Sequence, residues 1–118
     1  MKKLTILLVM FALSLSAQEN FEPQFEKQGD IIKAIFYHND GKVDQIGYFK
    51  NKKRHGNWIS YYPSGKKSAM GLYQSGLKTG QWFFWNNNDL IEVIYEDNKI
   101  INVLKWNNSE KKLIAKND

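Results

Sequence analysis

The chain repeats itself at an interval of 24 residues. Gly56-Asn57-Trp58 opens a stretch that ends on Gly80-Gln81-Trp82, and the correspondence extends outward: Tyr37 falls on Tyr61, Gly41 on Gly65, Lys42 on Lys66 and Gly47 on Gly71. A third copy is more divergent. Trp85 takes the place of the tyrosine and Asp89 that of the turn glycine, while Trp106 lies 24 residues beyond Trp82. A fixed period of this length constrains the fold more than any other feature. Each unit is one supersecondary element that must bury its apolar side against its neighbours.

The content of the unit identifies the element. From Ile31 onward, runs of six to eight residues rich in Ile, Val, Tyr, Phe and Trp alternate with polar turn clusters such as HNDGK, PSGK and EDNK. Evenly spaced short strands of this kind predict an all-β meander, a single layer of repeated antiparallel hairpins. No segment from Ile31 to Trp106 carries a sustained 3.6-residue apolar period, so little helix is expected. Asp40-Gly41 and Ser64-Gly65 suit two-residue hairpin loops. That register sets Ala34 against Gly47, Trp58 against Gly71, Tyr61 against Ser68, Tyr62 against Lys67, and Trp82 against Tyr95. A strand glycine is commonly explained by a bulky neighbour lying across it, and Trp58 over Gly71 is such a pair.

Strand alternation then sorts the side chains. One face carries Trp58, Tyr62, Tyr73, Trp82, Phe84 and Tyr95, with Gly47 and Gly71 beneath. The other carries Ile35, Tyr37, Ile46, Ile59, Tyr61, Met70, Leu72, Phe83, Trp85 and Ile94. Both are apolar. A single-layer sheet cannot hide two such faces, so the tails, a second molecule or a ligand must cover one.

Repeats of the form Gly-x-Trp-x-x-Tyr, a Gly-Lys turn, Gly-x-Tyr and a further Gly-x-Trp resemble MORN repeats. They are closest to the bacterial variant in exported 24-residue repeat proteins and in YwqK-type antitoxins. The match covers about residues 34–106. The copy at 56–79 is good, the copy at 32–55 has Ala34 where the tryptophan belongs, and the third lacks its turn glycine and the glycine at Tyr95. The resemblance implies an elongated sheet of hairpins without catalytic residues, and Gly56, Trp58, Tyr61, Gly65, Gly71, Tyr73, Gly80 and Trp82 as its structural positions. It also implies roles in scaffolding, dimerisation and membrane attachment or, for the YwqK type, neutralisation of a partner toxin.

The two ends differ from the repeats. Lys2-Lys3, the apolar run Leu4–Leu15 and the small residues Leu15-Ser16-Ala17 read as a signal peptide over residues 1–17, too short for a membrane span; retention as an anchor is the alternative. Export would place the protein in the periplasm, the cell envelope or outside the cell. Residues 18–30 read as an extended lead-in or cap, residues 31–106 as the repeat domain of about three hairpins, and residues 107–118 as a polar tail. There is no cysteine, so neither disulfides nor thiolate metal sites stabilise the fold. Charge is uneven: residues 41–80 hold eight bases and one acid, while residues 19–40 hold two bases and five acids.

Three sets of residues are functional candidates. The aromatic rows offer rigid faces with polar edges to glycans, peptides or acyl chains, or else form the core; Tyr62 and Trp85 are the members expected to be exposed. Lys52, Lys53 and Arg54, in a predicted turn, suit anionic lipid headgroups or form a solvated loop that discourages edge pairing. His38 and His55 are the only histidines and carry no metal-ligand spacing. No nucleophile elbow or phosphate-cradling loop is present, so no enzyme activity or cofactor is expected. Export makes nucleic acid an unexpected partner. The expectation is an envelope protein that binds a protein partner, with a second copy of itself among the candidates. Anionic membrane binding and a YwqK-type immunity role are the alternatives.

Overall fold

The computed structural model describes residues 21–107 and 110–116. The proposed signal segment 1–17 lies outside them. The described residues form nine strands: β1 (Gln24–Gln28), β2 (Ile31–Tyr37), β3 (Val43–Lys50), β4 (Lys53–Tyr61), β5 (Lys67–Gln74), β6 (Leu77–Asn86), β7 (Asp89–Glu96), β8 (Lys99–Asn107) and β9 (Glu110–Lys116). They pair antiparallel in sequence order in one sheet. The all-β, single-layer hairpin meander expected from the repeats is therefore what forms. The sheet runs past the expected repeat domain at both ends. The lead-in supplies β1, paired with β2. The stretch read as a polar tail supplies β9, paired with β8. Lys-rich and polar as that tail is, its alternation brings Leu113 and Ile114 to a strand that the open edge of β8 can pair.

Turn chemistry alternates along the sheet. Asn51-Lys52, Ser75-Gly76 and Asp97-Asn98 each hold two consecutive positive φ values, the geometry of two-residue type I′ turns. The turns expected at Asp40-Gly41 and Ser64-Gly65 are instead longer. The Gly65 amide donates to the Tyr62 carbonyl at 2.8 Å and the Tyr62 amide to the Lys66 carbonyl at 2.8 Å. This is a type I turn with Pro63 at its second position, closed by Gly65 at φ 90°. A two-residue primed turn on Ser64-Gly65 would need positive φ at Ser64, which this serine does not adopt. Ser68 is consequently bulged out, and Tyr61 faces Lys67 rather than Ser68.

The core is built from tryptophans laid flat on glycines. Trp58 does sit opposite Gly71, and Ala34 opposite Gly47. The ring of Trp58, however, covers Gly47 in the preceding hairpin: a Cβ there would stand 2.0 Å from its Cδ2. Trp82 covers Gly71 in the same way, at 1.9 Å. The β3–β4 ladder is interrupted between Ile46 and Tyr48, where Gly56 takes φ 71°, and the Trp58 indole N–H donates to the Tyr48 carbonyl at 3.0 Å. Gly80, at φ 68°, repeats the irregularity, and the Trp82 N–H donates to the Leu72 carbonyl at 3.1 Å. Both tryptophans are only 4% exposed.

The third copy departs from the expected register. Trp82 faces Val93, and it is Gly80 that faces Tyr95. Between Trp58 and its partner Gly71 the hairpin holds 12 residues; between Trp82 and Val93 it holds 10. Without a glycine at Asp89 the loop contracts to Asn87-Asn88, with Asn87 at φ 51°. Tyr95 thus takes the role of Tyr73, and the lost glycine is at Val93, which pairs with Val103 and is 6% exposed. A pair of medium side chains replaces a glycine under an indole. Trp106 pairs with Leu90 on the opposite face, so its 24-residue spacing from Trp82 does not place it in the tryptophan row.

Candidate functional site

The tryptophan face closes over itself. Phe49 and Tyr73 meet the Trp58 ring edge-on at 5.1 and 5.9 Å, and Phe36 stacks on it at 6.2 Å. Around Trp82 the arrangement recurs, with Tyr73 and Tyr95 edge-on at 4.9 and 6.0 Å and Phe84 stacked at 6.1 Å. A cation caps each cluster. The Arg54 guanidinium lies 5.1 Å from the Trp58 ring and 5.6 Å from that of Tyr73. Lys78, 24 residues on, lies 5.4 Å from Trp82 and 5.3 Å from Tyr95. Burial raises the Tyr95 phenol above its ordinary 10.0, and Tyr73 beside it adds to the shift.

This geometry divides the basic cluster. Only Asn51-Lys52 is a turn; Lys53 and Arg54 begin β4. Arg54 is held over the aromatic rings, and the Lys53 stem packs beside the neighbouring turn at Gly76. Lys52 alone of the three extends from a turn tip. The basic residues therefore adjoin the tryptophan row through Arg54 but not the pair Tyr62 and Trp85. Tyr62 and the basic residues lie at opposite ends of β4, roughly 26 Å apart at the rise of an extended strand.

The opposite face stays open. Ile35, Ile46, Ile59, Met70 and Phe83 are successive cross-strand partners from β2 to β6, each half-buried, and Tyr61 and Leu72 flank them. The row then meets Glu92, which is 3% exposed and accepts hydrogen bonds from Gln81 Nε2 at 3.0 Å and from the Trp106 indole at 3.1 Å. It resumes with Leu104 and Leu113, the latter 51% exposed.

Tyr62 and Trp85, the two aromatics expected to be exposed, are brought together. They line a groove of about 690 Å³ with Pro63, Ser64, Lys66, Lys67, Asn86 and Asn87. The Tyr62 hydroxyl donates to the Trp85 carbonyl. The repeat has an equivalent one unit earlier, where His38 Nε2 donates to the Tyr61 carbonyl at 2.9 Å. No family model matches the chain, and no curated protein matches it. Lys66, Lys67, Asn86 and Asn87 were not singled out by sequence reasoning. The missing glycine at Asp89 was the available signal, because it shortens the neighbouring turn. Among the described residues, no group of three or more His, Cys, Asp or Glu side chains is arranged for a metal ion.

Proposed function

We propose that the protein is a non-enzymatic, MORN-like scaffold of the cell envelope that binds a protein partner through its isoleucine face. A second copy of the chain is the leading occupant. One observation carries this reading: an unbroken apolar row crosses five adjacent strands on that face, while the tryptophan face closes itself with its own rings and cations. Nine strands spaced about 4.8 Å apart and about 26 Å long present a face of roughly 1,000 Å², so an interface of the roughly 800 Å² per partner typical of a stable complex extends from the five-strand apolar row onto its flanks. A two-fold interface matches such a row to itself, isoleucine on isoleucine.

Light scattering coupled to size exclusion tests the proposal on the full chain. The expected result is a dimer that becomes monomeric when Ile59→Lys and Met70→Lys are combined, with the far-ultraviolet spectrum retained. A chain that is monomeric up to the highest soluble concentration, and whose capture of envelope proteins is unchanged by the same pair, would overturn it.

A further inference from the structure

The groove between the β4–β5 and β6–β7 turns is built differently from its counterpart one repeat earlier. There, the Lys42 ammonium donates to the Pro63 carbonyl at 3.4 Å, so that one turn is tied to the next. Lys66 is the corresponding residue of the next unit. The β6–β7 hairpin is two residues shorter, and the Lys66 ammonium makes no matching hydrogen bond to it. A step is left where the repeat would have made a contact.

The groups along that step are unspent. Trp58, Trp82 and Trp106 all donate their indole N–H within the protein. Trp85 does not: among the described residues its N–H has no hydrogen-bond partner, and the ammonium groups of Lys66 and Lys67 have neither hydrogen bond nor ion pair. Asn86 and Asn87 are exposed and add amides that both donate and accept. The set is rich in donors, carries two positive charges and includes two aromatic side chains. Its volume of about 690 Å³ lies within the range of small-ligand sites.

We infer that this groove binds an acidic saccharide, a chain of carboxylated sugars. The carboxylates pair with Lys66 and Lys67, the ring oxygens and hydroxyls take the Trp85 N–H and the asparagine amides, and the apolar sugar faces lie against Trp85 and Tyr62. A flat membrane surface does not enter a groove recessed between two turns. The site borders the apolar row, the Trp85 and Phe83 rings lying 6.2 Å apart, but its polar groups lie at the turns, so the titration is run on the Ile59→Lys, Met70→Lys chain as well as on the parent and separates saccharide binding from partner binding.

Trigalacturonate is the probe, titrated into the full chain while the indole N–H resonances are followed by NMR. Binding should shift Trp85 and leave Trp58 and Trp82 in place. Lys66→Gln with Lys67→Gln should weaken binding about tenfold or more, because two charge-assisted contacts are lost. Trp85→Phe should weaken it while keeping an aromatic ring in place. Lys52→Gln with Lys53→Gln, at the far end of the strands, should change nothing. Unmoved Trp58 and Trp82 resonances in each variant establish that it has folded. The inference is overturned if maltotriose binds as tightly as trigalacturonate, if tri-glutamate shifts Trp85 equally, if the Lys66/Lys67 variant binds unchanged, or if Trp85 does not respond.

Discussion

The two faces of this sheet hold similar amounts of apolar side chain and solve the problem of water in opposite ways. On one, each indole lies flat over a glycine, its N–H satisfied by a nearby backbone carbonyl and its exposed side shielded by phenyl rings and a cation. On the other, Ile35, Ile46, Ile59, Met70 and Phe83 stand up from the pleat in a row with no glycine floor to lie on, and nothing on the sheet folds back over them. Amount of apolar surface therefore does not decide which face is free. Side-chain shape does: a wide planar ring can lie along a sheet if its neighbour has no Cβ, whereas isoleucine cannot.

The sharpest way to break this contrast is to disturb a glycine floor. Gly71→Val puts a branched side chain where even a single Cβ would stand 1.9 Å from Trp82. The ring must leave, and the expected loss in urea-unfolding stability approaches the roughly 3–5 kcal/mol of deleting a buried tryptophan, the value also expected for Trp58→Ala or Trp82→Ala. Gly71→Ala should cost less, about 1–3 kcal/mol, as overpacking partly relieved by a tilt of the indole. Equal stability of Gly71→Ala and the parent chain would show that the ring does not lie on the floor described.

Cation removal gives a finer comparison. Arg54→Gln should destabilise by about 0.5–1 kcal/mol, because its guanidinium lies over two rings. Lys52→Gln, from a turn tip, should be silent in the same denaturation experiment. On the open face, Met70→Lys should cost under about 1 kcal/mol in the monomer, since its side chain is only half-buried and the lysine stem can lie along the sheet.

The smallest effect concerns alkaline pH. The Tyr95 phenol is raised by burial, so the folded chain disfavours its ionisation relative to the unfolded one. The stability this contributes is complete below the ordinary value of 10.0 and is lost as pH rises through the folded value. Thermal melts from pH 9 upward should fall less steeply for Tyr95→Phe than for the parent. Parallel slopes would place the ring in a wetter setting.

The repeat period made most of the fold legible. Glycine and tryptophan at fixed spacing gave the strands, the assignment of side chains to faces and the opposition of Trp58 to Gly71. It could not tell which glycine a ring covers, because an indole reaches either neighbouring strand. That choice depends on the bulges at Gly56 and Gly80 and on which carbonyl is within reach. Counting from Trp82 to Trp106 misled, since a contraction of two residues in the third loop is invisible to a fixed interval. Of the two aromatics expected to be exposed, Tyr62 is exposed and Trp85 is half-buried against Phe83. Their partners Lys66 and Asn87 were not legible, because the groove exists only through the mismatch between a long turn and a short one. β9 was missed because its few apolar residues are diluted by lysine and glutamate.

Hydrogen exchange of the four indole N–H groups, read by NMR in dilute monomeric protein, tests the contrast between the faces most directly. Trp58 and Trp82 should exchange slowly, held by backbone carbonyls beneath their own side chains, while Trp85 exchanges close to the rate of a solvent-exposed indole. Rapid exchange at Trp58 and Trp82, or protection of Trp85 equal to theirs, would contradict a tryptophan face that closes itself beside one that stays open.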